Sequence, residues 1–346
     1  MLSEPGGTHS VIKGLSRAQE NLNLQVILVD RIKLFGKRYQ SSSELPHGKK
    51  NEYINEFHFC LSFLHILLRN PTLVINSRLN ILHFHGPWYF ESKIQNPTHR
   101  IRNIFKYLTE LMLIHSFPLI VCVSEEFAEL LSRKYRVNRN KISVIPVGID
   151  IDHFSPKNMH ANMAVNRRTF QVGTVRRLVP RMGLELLIHS IIDLENTNLV
   201  IAGKGPLSFE LEKLINALNL NDRVKLIGYV PDKDLPDFYR SLDVCVIPSV
   251  ALEGFCISAL EAMACGVPVI ASDLDGLRSS VGKCDAELLF EPNSVESLVV
   301  KIKFAKEHLL DKPFKFRKYA EQYDWQQIAT RYEDLFLNHG KRKYLS

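Results

Sequence analysis

The chain lacks the segments that would place it in or across a membrane. Among its 346 residues no apolar run is long enough for a transmembrane helix, and the start shows no signal-peptide pattern. The six cysteines have neither C-x-x-C nor zinc-ligand spacing, and several fall in apolar runs, so we expect buried free thiols in a reducing cytosol. Composition is that of a soluble globular protein, with 45% hydrophobic and 23% charged residues. The length predicts two domains, and the whole pattern predicts a cytoplasmic protein.

Positive charge is concentrated in the first part of the chain. Residues 1–145 contain 19 Lys and Arg against 11 Asp and Glu, a net charge of +8, and the remainder contains 25 against 26, a net charge of −1. A basic first half suits an anionic acceptor or peripheral attachment to an anionic inner membrane face, and an ordinary solvated surface explains it equally well. No recognition motif or interleaved aromatic and basic run accompanies the charge, so nucleic acid is not an expected partner.

Residues 99–114 carry apolar side chains at helical spacing and predict an amphipathic helix. The apolar positions are Ile101, Ile104, Phe105, Leu108, Leu111 and Met112. Arg100, Arg102 and Lys106 lie in the same segment, so a helix on a membrane surface is one alternative. We predict instead that the apolar side chains face the core.

The most informative stretch runs from residue 244 to 275. An apolar run stops at a turn that contains Glu253 and Gly254, a small-residue helix is expected over Phe255–Ala264, and a second apolar run follows. This order predicts a βαβ unit with buried parallel strands. A helix that begins at Gly254 and Phe255 would offer free backbone amides to a phosphate. Glu253 and Glu261 are eight residues apart, about 12 Å along a helix, and are expected on the same side of it.

This stretch resembles the E-x7-E segment of retaining glycosyltransferases of family 4, which have the GT-B fold. The resemblance rests on Glu253-Gly254-Phe255 and on the run from Glu261 to Pro268. It implies that Glu253 contacts the sugar of a nucleotide-diphosphate sugar and that Glu261 contacts the ribose. The diphosphate would lie on the amides of Gly254, Phe255, Cys256 and Ile257.

Two further stretches extend the resemblance into the first half. Residues 81–88 predict a strand that ends in His-Gly-Pro-Trp, and His85 matches the family histidine that faces the donor sugar. The glycine-rich turn at Gly7 resembles the turn near the diphosphate, although a simple helix entry explains it as well. Few residues precede Gly7, so we expect a shortened N-terminal domain or a start that lies upstream.

The expected diphosphate cations depart from the family pattern. Arg177 matches the family arginine, but Met182 stands where the family has a lysine, and a methionine cannot bind phosphate. Arg181 is the candidate substitute. Tyr229 and Val230 follow a predicted strand where the family borders the nucleobase. Asp273 and Asp275 have DxD spacing, but the resemblance implies no metal, so we interpret them as structural.

Together these features predict an α/β protein of GT-B type with two Rossmann-like domains across a cleft. Residues 1–148 would form the acceptor-side domain, completed by a helix over 325–338, and residues 149–324 the donor domain. The expected function is transfer of a sugar to a glycan or lipid-linked hydroxyl in cell-surface polysaccharide or glycolipid synthesis, with no cofactor. Met182 and the short first domain leave two alternatives, an impaired nucleotide-sugar or partner-binding protein and a sugar-nucleotide epimerase.

Overall fold

A computed structural model describes residues 81–95, 98–156 and 169–344. The predictions for Gly7, for a strand over 24–29 and for a helix over 57–68 therefore lie outside the described residues. Within the described part, two parallel sheets follow one another along the chain.

The first sheet has the strand order β1-β2-β3. Its strands are β1 (Ile81–Phe84), β2 (Leu119–Cys122) and β3 (Ile142–Val144). The helices between them are α1 (Trp88–Gln95), α2 (Arg100–Ser116) and α3 (Glu125–Lys134). The β2 strand is buried along its whole length, as expected for a parallel strand covered on both faces.

The second sheet contains six parallel strands in the order β6-β5-β4-β7-β8-β9. They are β4 (Phe170–Val175), β5 (Thr197–Ala202), β6 (Val224–Gly228), β7 (Val244–Ile247), β8 (Val269–Ser272) and β9 (Leu289–Phe290). The strand order reverses between β4 and β7. In a doubly wound sheet, ligands bind at the carboxyl ends of the strands at such a reversal.

Helices connect these strands and close the chain. They are α4 (Leu184–Ser190), α5 (Ser208–Ala217), α6 (Leu235–Arg240), α7 (Ile257–Ala264), α8 (Asp275–Leu277), α9 (Val295–His308), α10 (Pro313–Ala320) and α11 (Trp325–Tyr344). The last helix returns to the first sheet, where the Tyr332 hydroxyl lies 3.3 Å from His83 Nδ1.

The prediction that the apolar side chains of α2 face the core is wrong for most of them. Ile101, Ile104, Phe105, Leu108 and Met112 are exposed, with Ile101 at 87%. The buried side chains of α2 are mostly polar instead. Their burial is tolerated because contacts within the protein replace the contacts with water. The partners are Ser92 for Asn103, the Trp88 ring for Lys106, and the Tyr135 hydroxyl with the amides of Trp88 and Tyr89 for Glu110.

Gly183 is required by the packing between the turn after β4 and the end of β7. Its φ is +65°, and a Cβ there would lie 1.9 Å from the carbonyl oxygen of Pro248. Gly228 also has a positive φ, +72°, but a Cβ there would meet no atom within 4 Å.

We therefore expect Gly183→Ala to destabilise the fold far more than Gly228→Ala. Gly228→Ala adds only the left-handed backbone penalty of about 1–2 kcal/mol, whereas Gly183→Ala adds a clash with backbone and should reach about 3 kcal/mol or more. Chemical denaturation of both variants measures the difference in the free energy of unfolding. Equal losses would show that the contact with Pro248 does not constrain the fold.

Candidate active site

The candidate site is built at the strand-order reversal of the second sheet. Arg176 directly follows β4, and the turn of Glu253 follows β7, so the fold brings the two together at one sheet edge. The Arg176 guanidinium donates to the Glu253 carboxylate through Nη2, and Ser249 Oγ donates to the same carboxylate oxygen at 2.7 Å. The two side chains are only 6% and 11% exposed.

Electrostatics keep Glu253 ionised in spite of its burial. Burial alone would raise the pKa of Glu253, but the positive charges of Arg176 and Arg181 and the hydrogen bonds from Ser249 and Arg176 outweigh it and lower the pKa. Glu253 is therefore a fixed negative charge and an acceptor of hydrogen bonds. Such a group is suited to sugar hydroxyls.

Glu261 lies in a different environment. Its carboxylate accepts a hydrogen bond of 2.6 Å from the Tyr239 hydroxyl of α6. Burial raises the pKa of Glu261 to about 7, against the opposing effect of that hydrogen bond. The two predicted carboxylates thus differ strongly in the pH at which they ionise.

The helix of the E-x7-E stretch begins later than predicted. It starts at Ile257 rather than at Gly254 or Phe255, because Cys256 adopts a left-handed conformation with φ +65°. Glu253 is therefore not on the helix, and a spacing of eight helical residues does not describe its position relative to Glu261. In the described part of the chain, Cys256 makes no side-chain capping hydrogen bond to α7, so the amides of Ile257 and Ser258 remain the phosphate-binding candidates.

Gly254 and Phe255 pack against the first sheet and the chain end rather than lead the helix. A Cβ on Gly254 would lie 2.5 Å from the Phe127 ring of α3, and the same ring lies 3.8 Å from the Cβ position of Gly86. The Phe255 ring packs beside the Tyr323 ring, with 5.3 Å between the ring centroids and 57° between the ring planes. The Phe127 ring therefore lies between Gly86, which follows His85 in the first sheet, and Gly254, which follows Glu253 in the second.

The two predicted cations and Met182, at the lysine position, lie in different environments. Arg177 is exposed, and Met182 is buried in the core at 5% exposure. Arg181 is buried, donates to the Leu252 carbonyl oxygen at 3.2 Å, and forms a 2.9 Å ion pair with Glu91 of α1. Arg181 thus contacts the turn that leads to Glu253, and its role as a substitute for the lysine stays a prediction.

His85 directly follows β1 and is exposed, as the prediction of a histidine at a strand end requires. Its ring stacks at 6.1 Å from that of His83. The His83 ring is half-buried, and this burial, together with the nearby His85, lowers the pKa of His83 to about 4. The His83 imidazole is therefore neutral near pH 7.

Tyr229 and Val230 follow β6 at the same edge of the second sheet and are half-buried. The Lys204 ammonium lies 5.6 Å from the centre of the Tyr229 ring. A separate cavity of about 290 Å³ opens between the sheets, with Ser124, Phe255 and Lys283 among its lining residues, but neither predicted glutamate lines it. Among the described residues, no group of three or more His, Cys, Asp or Glu could hold a metal ion.

Comparison with known proteins identifies the family. The profile of the glycosyl transferases group 1 matches residues 157–343, and that of glycosyltransferase family 4 matches residues 5–153. The chain belongs to the group 1 glycosyltransferases. The description of this family agrees with the resemblance of the E-x7-E stretch.

Individual relatives of this group 1 glycosyltransferase are distant. Mannosylfructose-phosphate synthase of Agrobacterium fabrum is 28% identical, over 60% of this chain and 48% of that protein. Sucrose-phosphate synthase from Thermosynechococcus elongatus has a TM-score of 0.72 at 19% identity, over 96% of this chain and 93% of that chain. Anabaena HepE in complex with UDP-glucose has a TM-score of 0.62 at 20% identity, over 75% and 72%. The solved structures confirm the GT-B fold, and the chain spans about half the length of the curated relatives it matches.

Four residues around the candidate site were not predicted from sequence, namely Arg176, Ser249, Tyr239 and Glu91. Arg176 could have been found from the sequence, since it directly follows a predicted strand, at the edge of the sheet where ligands bind. No sequence pattern pointed to Tyr239 or Glu91, because both reach the site from helices distant in sequence. In the described part of the chain no helix is long and apolar enough to span a membrane.

The two glutamates should give different pH profiles of stability. The pKa of folded Glu261, about 7, lies above its ordinary value of 4.5. Its contribution to stability is therefore complete below about pH 4.5 and is lost as the pH rises through about 7. Glu261→Gln mimics the neutral form, so we expect it to gain about 2 kcal/mol relative to the parent between about pH 5 and pH 8.

Glu253→Gln is the matched control for this measurement. Because the pKa of Glu253 is lowered, its carboxylate is ionised throughout that range, and the difference between Glu253→Gln and the parent should not change with pH. Denaturant unfolding at both pH values gives the free energies. A Glu261→Gln difference that is independent of pH would contradict the assignment.

Proposed function

We propose that this protein is a retaining glycosyltransferase that transfers a sugar from a nucleotide-diphosphate sugar to a hydroxyl acceptor. The observation that carries the proposal is the cluster of Arg176, Arg181 and Glu253 beside the first turn of α7, at the reversal of strand order. Cations and helix amides suit a diphosphate, and an ionised carboxylate suits sugar hydroxyls.

The reaction requires stabilisation of the charge that develops on the departing diphosphate. In the proposed step the bond from the anomeric carbon to the diphosphate oxygen breaks, and a bond to the acceptor oxygen forms on the same face of the sugar. The acceptor proton passes to the leaving diphosphate. Arg177 and Arg181 would neutralise the diphosphate together with the α7 amides, while Glu253 and His85 would orient the sugar and Glu261 would hold the ribose.

The substrate classes follow from the same cluster and from the relatives. The Anabaena neighbour was solved with UDP-glucose, which makes UDP the first nucleotide to test. A glycan or lipid-linked acceptor, in cell-surface polysaccharide or glycolipid synthesis, is the proposed second substrate. We propose metal-independent transfer, because the arginines and helix amides supply the positive charge that a metal would otherwise provide.

Nucleotide binding tests the donor site directly. We expect the purified chain to bind one of UDP, GDP and ADP in calorimetric titration, equally well with EDTA and with magnesium. Glu261→Ala should weaken that binding by about tenfold or more, because a hydrogen-bonded pair to the ribose diol is lost. Glu296→Ala, at an exposed position of α9, is the control and should bind as the parent does.

The outcomes also separate the alternative functions. If none of the nucleotides binds, the donor site is wrong. If one binds but no glycoside forms from the matching nucleotide sugar with any acceptor, the impaired binding protein is supported, with the buried Met182 as its structural basis. Conversion of the sugar nucleotide without acceptor would identify an epimerase.

We further propose that the exposed apolar face of α2 attaches the enzyme peripherally to an anionic membrane, where a lipid-linked acceptor would lie. Ile104 and Leu108 are 58% and 55% exposed on this face. The exposed Arg100 lies on the same helix, and the first 145 residues carry a net charge of +8, with 19 basic against 11 acidic residues. An apolar face beside basic residues suits an anionic bilayer.

Vesicle flotation measures this attachment. The chain should float with phosphatidylglycerol vesicles and not with phosphatidylcholine vesicles, and Leu108→Asp should abolish flotation because it places a charge in the apolar face. Ile192→Asp is the matched control, since Ile192 is 50% exposed on the second sheet's side of the molecule. Flotation of Leu108→Asp at the parent level would exclude α2 as the attachment surface.

A further inference from the structure

The ring of Phe127 contacts the two loops that carry the proposed sugar contacts. Phe127 lies in the first turn of α3, and its side chain is buried. The ring atoms Cε2 and Cζ are the ones nearest to Gly86 and also the ones nearest to Gly254. His85 directly precedes Gly86, and Glu253 directly precedes Gly254. One edge of a single ring therefore lies beside both residues that are proposed to orient the sugar.

The approach of this ring requires a glycine at position 254. A Cβ on Gly254 would lie 2.5 Å from Cε2 of Phe127, well inside the roughly 3.5–4.0 Å of a carbon–carbon contact. A Cβ on Gly86 would lie 3.8 Å from the same atom, which is an ordinary contact. Gly254 does not have a positive φ, so its backbone could accept an alanine. The ring, and not the backbone conformation, excludes a side chain at Gly254.

The first sheet holds the ring in place. The backbone amide of Phe127 donates to the Ser124 hydroxyl at 3.3 Å, which fixes the first turn of α3 at the end of β2. The ring also packs edge-on against Phe84, with 5.7 Å between the ring centroids. Phe84 directly precedes His85 in the sequence. The ring thus lies next to the residues on both sides of His85.

The second sheet holds the turn of Glu253 against the same ring. Gly276 of α8 packs on the carbonyl oxygens of this turn, since a Cβ there would lie 1.9 Å from that of Glu253 and 2.5 Å from that of Gly254. Ser279, which follows α8, donates through its hydroxyl to Glu126, the residue before the ring in α3. The turn is therefore confined between α8 and the ring.

We infer that Phe127 is a positioning residue that sets the separation of His85 from Glu253 and thereby decides which sugar the site accepts. This inference rests on the proposed nucleotide-sugar donor. The two side chains come from different sheets, and one sugar can bond to both only if their separation matches its hydroxyls. A hydrogen bond is lost once its heavy atoms lie more than about 3.5 Å apart, so a shift of about 1 Å between the loops removes a contact.

The test measures discrimination between sugars that are carried by one nucleotide. The glucose, galactose, mannose and N-acetylglucosamine derivatives of whichever of UDP, GDP and ADP binds are titrated into the parent and into Phe127→Leu. Because the nucleotide is the same in all four ligands, the ratios of their dissociation constants report on the sugar contacts alone. We expect the parent to prefer one sugar by about fivefold or more, as one hydrogen bond implies. Phe127→Leu lacks Cε2 and Cζ, so it should bring the ratios close to one and leave the affinity for the free nucleotide unchanged.

Gly254→Ala tests the same contact from the other loop. Its methyl group would clash with the Phe127 ring and displace the turn, so this variant alone should also lose the sugar preference. In the double variant Phe127→Leu with Gly254→Ala, the methyl group enters the space that Cε2 and Cζ leave. The double variant should therefore regain most of the parent preference. Such a rescue shows direct coupling of the two positions, whereas independent structural losses would add.

A matched control separates this effect from a general loss of core packing. Phe316→Leu makes the same substitution at a fully buried position of α10 and should retain the parent ratios and the parent affinity for the nucleotide. Thermal unfolding checks that each titrated variant is folded. If Phe127→Leu does not fold, the comparison of Gly254→Ala with the parent decides the question.

The results distinguish the inference from the proposed function. A parent that binds none of the nucleotides overturns the proposed donor site and the inference with it. A parent that binds a nucleotide but does not discriminate between the sugars leaves the nucleotide site standing and overturns the inference. Parent ratios in Phe127→Leu would overturn it as well. Equal weakening of the free nucleotide and of all four nucleotide sugars would show a purely structural role and would have the same consequence.

Discussion

The buried pair of Arg176 and Glu253 is the interaction on which the site depends. It joins the ends of β4 and β7, the two central strands between which the strand order reverses. A buried ion pair adds little net stability, but removal of either partner leaves an uncompensated charge in the interior. The turn after β7 and the strand end before Arg181 are therefore held together by electrostatics, and the ligand-binding edge of the sheet takes its shape from that constraint.

The two predicted carboxylates, Glu253 and Glu261, differ in the pH at which they ionise. Glu253 lies beside Arg176 and Arg181, which lower its pKa, whereas Glu261 is buried, accepts a hydrogen bond from Tyr239 and lies near the charge of Asp232, and its pKa is about 7. A permanent anion can accept hydrogen bonds from a sugar whatever the pH. A carboxyl group that gains its charge near neutrality becomes a double acceptor for a diol only in the upper part of the physiological range, so the proposed contact of Glu261 with the ribose would depend on pH.

The sequence predicted the pattern of elements well and their faces less well. The strand, turn and helix around Glu253 were confirmed because strand and helix periodicities differ and Gly and Pro mark the turns. The start of α7 was missed since Cys256 adopts a conformation that is uncommon outside glycine and asparagine. The buried face of α2 was wrong because Glu110 finds its partner in Tyr135, 25 positions away, which periodicity cannot reveal.

The same constraint explains why the lysine position can hold a methionine. Gly183 lies against the carbonyl of Pro248, so the turn after β4 is pressed onto the end of β7 and Met182 enters the core. Cations for the proposed diphosphate would then come from the residues on either side of that turn. Arg181 is one of them, and it pairs with Glu91 of the α1 helix beside the first sheet. The charge available to the proposed donor would therefore depend on contacts between the two sheets as well as on the donor side alone.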